Sequence, residues 1–387
     1  MLGPLEGGER VRAAEVLAEG LGLGSYGFAD YKDPAPGTAL EAATIVAKGG
    51  QRVADAVARG AATAVAQGLV RDLVNTPGGD LTPEAFADQI REVGAELGLE
   101  VSVLGRAEVI AAGMGGLAGV ARGSDQEPRF VTITYRPEGK PRGRIALVGK
   151  GVTFDSGGLS IKPATAMEGM KGDMAGAATV FATMTLVPQI APRLEVVAYL
   201  PLTDNMLGGD ATRVGDVLRA KNGKTIEVLN TDAEGRLILA DALTVATESE
   251  PDAIIDLATL TGACMVALGD RTAGAMGNHD GLRERVLDAA DHAGEAMWPL
   301  PLPEHLRKGI DSDIADLKNI GSNGYGGALT AGLFLREFVG EVPWVHLDIA
   351  GPADARSGYD EVSKGGTGFG VRTLARLLAT WTRLPPS

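Results

Sequence analysis

Three short stretches of this 387-residue chain hold the side chains whose types and spacing could do chemistry. The first runs over residues 149–163 and carries Lys150, Asp155 and Lys162. The second, Met170-Lys171-Gly172-Asp173-Met174, offers Asp173. The third, Asn230-Thr231-Asp232-Ala233-Glu234-Gly235-Arg236-Leu237, offers Asp232, Glu234 and Arg236. Each also has an ordinary structural use. Asp173 stands where a helix N-cap would, and Thr231-x-x-Glu234 has the spacing of a capping box ahead of the apolar run 237–243. In an extended stretch, however, Asp232, Glu234 and Arg236 fall on one side, and a capping box needs neither Asp232 nor Arg236. Nucleotide readings fail on spacing. Gly149-Lys150 would make a phosphate loop only with glycine in place of Arg144 and Ser or Thr in place of Gly151. Gly113-Met114-Gly115 follows no strand and opens no new helix, so it is a poor dinucleotide fingerprint.

Taken together, Asp155, Asp173, Asp232 and Glu234 are four carboxylates with Lys150, Lys162 and Arg236 beside them. Carboxylates so concentrated repel one another unless cations hold them. Four suffice for two divalent ions that share bridging oxygens, activate a water and polarise a carbonyl. A donor set without His or Cys favours Mg²⁺ or Mn²⁺, although Zn²⁺ also accepts carboxylates.

The elements that must position these groups alternate. Strands are expected at 101–104, 130–135, 145–148, 194–200, 225–229, 253–258 and 345–349, and helices at 39–74, 83–97, 174–187, 238–248, 281–293, 329–339 and 366–381. Thr82-Pro83-Glu84 caps and opens one helix, Gly98 ends it, and Pro188 closes another. Residues 1–38 are rich in Gly and Pro and only weakly periodic. Such alternation predicts an α/β fold with a central, mostly parallel sheet flanked by helices, its chemistry in the loops beyond the strand C-termini.

Composition sets the outer limits. The lone Cys264 excludes an intrachain disulfide framework and a Cys-rich zinc site, and fits a reducing, cytoplasmic setting. His279, His292, His305 and His346 are scattered, with no metal-ligand spacing. A net charge of −14 argues against nucleic acid as a partner. The uncharged window 174–192 contains Thr, Gln and two prolines, and reads as a buried helix rather than a membrane span.

The string Asn230–Leu237, NTDAEGRL, resembles the signature of the leucyl aminopeptidase (cytosol aminopeptidase) family. The stretches 149–162 and 170–174, then DLATLTGA at 256–263 and HLDIAG at 346–351, match that family's other segments in order, and the likeness runs from about residue 45 to the C-terminus. The resemblance implies a two-metal aminopeptidase acting on short peptides with leucine or another, mainly apolar, N-terminal residue. Lys150, Asp155, Asp173 and Glu234 would hold one ion, and Asp155, Asp232 and Glu234 the other. The ions would be Zn²⁺ or Mn²⁺, with Mg²⁺ or Co²⁺ as further candidates. Lys150 ligates only when neutral. Lys162 would polarise the scissile carbonyl, and Arg236, with the backbone of Gly235 and Leu260, would hold bicarbonate as the general base. Met170, Thr259, Leu260, Gly262 and Ala350 would line the pocket for the first side chain.

The chain departs from the family at its N-terminus. Members carry a complete α/β domain before the catalytic one, whereas here only a short segment precedes the linking helix. Residues 1–45 are therefore expected to be a remnant, for instance 22–33, of a largely missing N-terminal domain, and 46–387 the catalytic domain. A homohexamer built on catalytic domains could survive that loss. Two other readings compete: a two-metal phosphohydrolase, which acidic ligands would also suit, and a DNA-binding architectural protein, which the −14 charge disfavours.

Overall fold

Alternate residues of one strand, Arg144–Gly149, explain why the central sheet is covered on both sides. Ile145 and Leu147 belong to one hydrophobic core, and Ala146 and Val148 to another. The computed structural model describes residues 5–32, 40–322 and 324–384. Among the described residues the strands are β1 (Glu100–Leu104), β2 (Arg129–Tyr135), β3 (Arg144–Gly149), β4 (Gly151–Asp155), β5 (Glu195–Asn205), β6 (Val217–Arg219), β7 (Thr225–Glu227), β8 (Ala253–Ala258), β9 (Ala273–Gly277), β10 (Met297–Pro299), β11 (Leu317–Lys318), β12 (Trp344–Asp348), β13 (Asp354–Ala355) and β14 (Gly365–Gly366). The main sheet has nine of these, in the order β1-β2-β5-β3-β8-β12-β9-β10, with β4 continuing the pairing along β5. β4, β5, β3, β8 and β12 run parallel, and antiparallel pairing enters only at β1/β2/β5 and at β12/β9. The expected mostly parallel centre is therefore present.

Helices α1 (Gly7–Gly24), α2 (Gln51–Asn75) and α3 (Pro83–Glu96) precede the sheet. α4 (Arg106–Ala111), α5 (Gly115–Val120), the single turn α6 (Ala164–Met167), α7 (Ala175–Ile190), α8 (Gly235–Glu248), α9 (Gly262–Leu268), α10 (Asp280–Ala293), α11 (Gly327–Arg336) and α12 (Val371–Ala379) follow. α2, α3, α7, α10 and α12 contribute to the core with Ile145 and Leu147. α4, α5, α8 and α11 contribute to the core with Ala146 and Val148. Thr82 accepts the Ala85 N–H at 3.2 Å, so the expected cap of α3 forms.

Several expectations need correction. The N-terminal stretch, read as rich in Gly and Pro and only weakly periodic, holds the helix α1, because Ala14 and Leu23 are buried on it and Glu15 pairs with Arg59 of α2 at 3.2 Å. Tertiary contact outweighs weak periodicity there. The helix expected from residue 39, which lies outside the described residues, begins only at Gln51; none of the residues 41–50 is buried, so no apolar face supports a helix. α7 runs past Pro188 to Ile190. α12 starts at Val371 rather than 366, where the Glu295 carboxylate takes the N–H groups of Gly370 and Thr373. The strand expected at 225–229 is the short β7, in a separate three-stranded sheet with β6 and β11. β4 and β9 were not expected; β9 reads Ala-Gly-Ala-Met-Gly and carries no β-branched residue.

Asp241 on α8 ties the first turn of α5 and the turn after β6 to this frame. It is fully buried and accepts the N–H of Leu117 and of Lys221, each at 2.8 Å. Burial pushes its carboxyl up to about 7, against the pull of those backbone donors. Because the folded state holds this proton more tightly than the unfolded chain, stability falls as pH rises from the ordinary carboxylate range through about 7. Urea unfolding across that window should show this loss in the wild type and a shallower one in Asp241→Asn; equal slopes would contradict the assignment.

Candidate metal centre

The four expected carboxylates come together at the C-terminal ends of the parallel strands. Lys150 follows β3, Asp155 closes β4, Asp173 precedes α7, and Glu234 precedes α8. Two helix N-termini press onto these strand ends, and small residues permit it. A Cβ on Gly176 would lie 2.1 Å from the Leu257 carbonyl oxygen, and one on Gly235 would lie 2.6 Å from Lys150 Cε. Lys150 Nζ reaches Asp173 at 2.7 Å and Glu234 at 2.8 Å, and donates to the Thr259 carbonyl at 2.9 Å. Lys162 Nζ pairs with Asp155 at 2.8 Å and also with Asp232. Oxygens of Asp155, Asp232 and Glu234 all lie within 4.8 Å of one another.

Local structure frees these groups from the ordinary uses open to them. Met174, not Asp173, occupies the cap position of α7; Asp173 instead accepts from Lys150 and, at 2.7 Å, from the Thr259 hydroxyl. The capping box is not formed. Glu234 has helical backbone angles and makes no cap bond, while the Thr231 hydroxyl accepts from Ser160 N–H and donates to Gly157 O, both at 2.7 Å. Nor is 232–236 extended: Asp232 sits in a turn with its N–H on Asn230 Oδ1, and Arg236 is already inside α8. A turn feeding a helix brings Asp232 and Glu234 to one point by another route than the alternation expected.

The electrostatics are those of a crowded acidic site. Burial pushes Asp155 above the usual carboxylate range, with Glu234 adding repulsion and Lys150 and Lys162 opposing. Asp173 is pushed well above it by burial, with Lys150 opposing, and Asp232 is raised by burial against Lys162. Burial works against the charge of Lys150, but Asp173, Glu234 and Asp155 outweigh it and hold the ammonium above the ordinary lysine range. Lys162 is raised in the same way, chiefly by Asp155. Arg236 is only 7% exposed, its Nε has no hydrogen-bond partner, and burial pulls its guanidinium down to about 10 despite Glu234 and Asp348.

These residues fit divalent cations. Glu234 Oε1, Asp173 Oδ2 and Asp232 Oδ1 are buried beside a lysine, yet no N–H meets them with hydrogen-bond geometry. A cation needs no such direction, and the donor set is hard oxygen with one amine. A profile of the cytosol aminopeptidase family's catalytic domain matches residues 68–375. The chain belongs to the cytosol aminopeptidase family. It is 52% identical over 385 residues to a probable cytosol aminopeptidase of Streptomyces coelicolor, covering 94% of this chain and 74% of that protein. A probable cytosol aminopeptidase of Aquifex aeolicus is 46% identical over 372 residues, covering 96% and 75%. Among solved structures, the bottromycin maturation enzyme BotP in complex with Mn superposes with a TM-score of 0.87 at 44% identity, covering 95% of this chain and 79% of that one.

The remaining family positions are distributed unevenly around the centre. Thr259 touches Asp173, whereas Leu260 and Ala350 share a different partner: each gives its N–H to Asp348, at 3.2 Å. The N–H of Leu260, whose backbone the resemblance gives with Gly235 to bicarbonate, is engaged by Asp348. Gly235 opens α8, so its N–H has no carbonyl within the helix to bond. Met170 is half-buried in the turn before Asp173, and Gly262 is exposed at the start of α9. His346 is a satisfied core residue at Nδ1, 2.6 Å from Asp256, and His279 caps α10. Burial pushes the Cys264 thiol up to about 12.

Sequence reasoning missed Asn205. It ends β5, and its Nδ2 donates to Asp155 Oδ1 at 2.8 Å and to the Thr231 carbonyl at 3.0 Å. The one available signal was a polar pair, Asp204-Asn205, closing an apolar strand. Removing the group that aims a ligand costs about 10–100-fold in metal affinity or activity. Asn205→Ala should therefore bind Mn²⁺ more weakly by that order in a metal titration; unchanged affinity would show that Asp155 needs no such support.

Proposed function

We propose that this aminopeptidase removes the N-terminal residue, leucine or another mainly apolar one, from short peptides at a centre of two divalent ions. The observation that carries the reading is the convergence of Asp155, Asp232 and Glu234, extended by Lys150 to Asp173. Lys150, Asp155, Asp173 and Glu234 would hold one ion, and Asp155, Asp232 and Glu234 the other. Bound ions would supply a water of lowered pKa and polarise the scissile carbonyl. The Mn in the neighbouring structure supports Mn²⁺, with Zn²⁺ also suited to these donors. Seating an ion beside Lys150 must compete with the proton its carboxylate neighbours hold there.

The chain's own residues do the rest. Lys162 stays charged beside Asp155 and Asp232, and would face the carbonyl oxygen as negative charge develops on it. Arg236 is a buried cation whose Nε lacks a partner, which suits a small anion such as bicarbonate, a source of basicity toward the attacking water. Asp173, braced by Thr259, would receive the free amine of the peptide and so restrict cleavage to the N-terminus. Met170, Thr259, Leu260, Gly262 and Ala350 would line the first side-chain pocket. We further propose that residues 46–387 are the catalytic unit, and that the enzyme works as a homo-oligomer, a hexamer by family resemblance, in the cytoplasm. No helix among the described residues is long and apolar enough to cross a membrane.

Leucine anilide and a phenyl phosphate ester, each offered with Mn²⁺ or Zn²⁺, separate peptide from phosphate chemistry. The anilide should be cleaved and the phosphate ester left intact; an untouched anilide under every metal sinks the reading. Lys162→Ala should keep both metals while kcat falls by about 100-fold or more, the scale of one lost oxyanion donor. Full activity in that variant would remove Lys162 from its role.

A further inference from the structure

Several buried carboxylates take no part in the reaction centre, and one of them, Asp348, stands where two loops leave the sheet together. Asp348 closes β12 and is fully buried. β12 lies parallel to β8 with Asp348 opposite Ala258, and Ile349 N–H bonds Ala258 O at 2.9 Å, so the loops after both strands leave the sheet side by side. Asp348 gathers them. Its Oδ1 accepts the N–H of Leu260 at 3.2 Å, of Thr261 at 3.4 Å and of Ala350 at 3.2 Å, and its Oδ2 accepts the Thr261 hydroxyl at 2.7 Å. That hydroxyl also accepts Cys264 N–H, which caps α9. One charged group thus holds three backbone donors from two loops, and no lysine or arginine lies within ion-pair distance of it among the described residues. Asp348 and Glu234 are the carboxylates whose charge reaches the unpartnered Arg236.

A buried carboxylate without a cation partner is expensive, and ionised hydrogen bonds are what offset it. A core that merely needed filling would use an apolar side chain there. We propose that Asp348 is a positioning residue for the substrate: it fixes the Leu260-Thr261 and Ala350 loops relative to each other, and so sets the width of the pocket for the first side chain. The inference rests on the pocket assigned under the proposed function.

The test compares Asp348→Ala, Asp348→Asn and wild type, each loaded with Mn²⁺, for bound metal, Tm, and kcat and KM on leucine and alanine anilides. Losing a hydrogen-bonded charged acceptor is expected to raise KM for the leucine anilide by roughly tenfold. Metal content should be unchanged, kcat should fall less than KM rises, and the preference for leucine over alanine should shrink. Asn keeps one acceptor oxygen and should recover part of KM and of the preference. A carboxylate with only a structural role would lower Tm and the active fraction while KM and the leucine-to-alanine ratio stay at wild-type values, and that result overturns the proposal. Should Asp348→Ala not fold, Thr261→Val against Thr261→Ser reads the same link: Val should raise KM and Ser should not, and equal KM values for both overturn it. Failure of the wild type on every anilide would instead remove the aminopeptidase reading itself.

Discussion

Three carboxylates with oxygens within 4.8 Å of one another, and Asp173 joined to them through Lys150, repel each other, and the rest of the structure is organised around that repulsion. Burial alone already lifts Asp155, Asp173 and Asp232 toward the neutral form. Two lysines oppose it. Lys150 stands between Asp173 and Glu234, and Lys162 between Asp155 and Asp232, so each ammonium bridges one pair of acids. This pairing also divides the cluster into two seats for positive charge. The buried charges of this site act on one another strongly, which is what carbonyl polarisation requires.

The fold provides this concentration through strand ends and helix starts. Lys150 directly follows one strand of the parallel set and Asp155 closes another, and Asp173 and Glu234 come from the segments that lead into α7 and α8. The partial positive charge at those helix N-termini favours ionised carboxylates beside them. Around this inner set lies a ring of neutral donors that fix direction: Asn205 on Asp155, and Thr259 on Asp173. On the neighbouring strand ends Asp348 holds the loops after β8 and β12 as Asn205 holds Asp155.

Much of this was legible in residue types and order. The carboxylates, both lysines and Arg236 were readable because short motifs of charged and small residues follow apolar strand-like runs, and because their order resembles a known family. The parallel centre followed from β3, β8 and β12, short, mainly apolar runs that alternate with helical stretches. What escaped was set by tertiary contact. α1 exists because it packs on α2, and β9 because β12 and β10 pair with it, not because of its own residues. The geometry of 232–236 was misread for a similar reason. A period of two fits an extended strand, but the segment is a turn that enters α8, and only the packing of α8 against the sheet decides between them. Asn205 and Asp348 were hidden because a single polar residue at a strand end looks like any loop entry until its partners are seen.

The decisive property of this centre is how many divalent ions the cluster holds. Equilibrium dialysis against Mn²⁺, with metal counted per chain in wild type and Asp232→Asn, addresses this without relying on turnover. Two ions in the wild type and one retained in the variant are the result expected, since the proposed ligand sets give Asp232 to only one of the two ions. A single ion in the wild type, or the same count in both proteins, would contradict it.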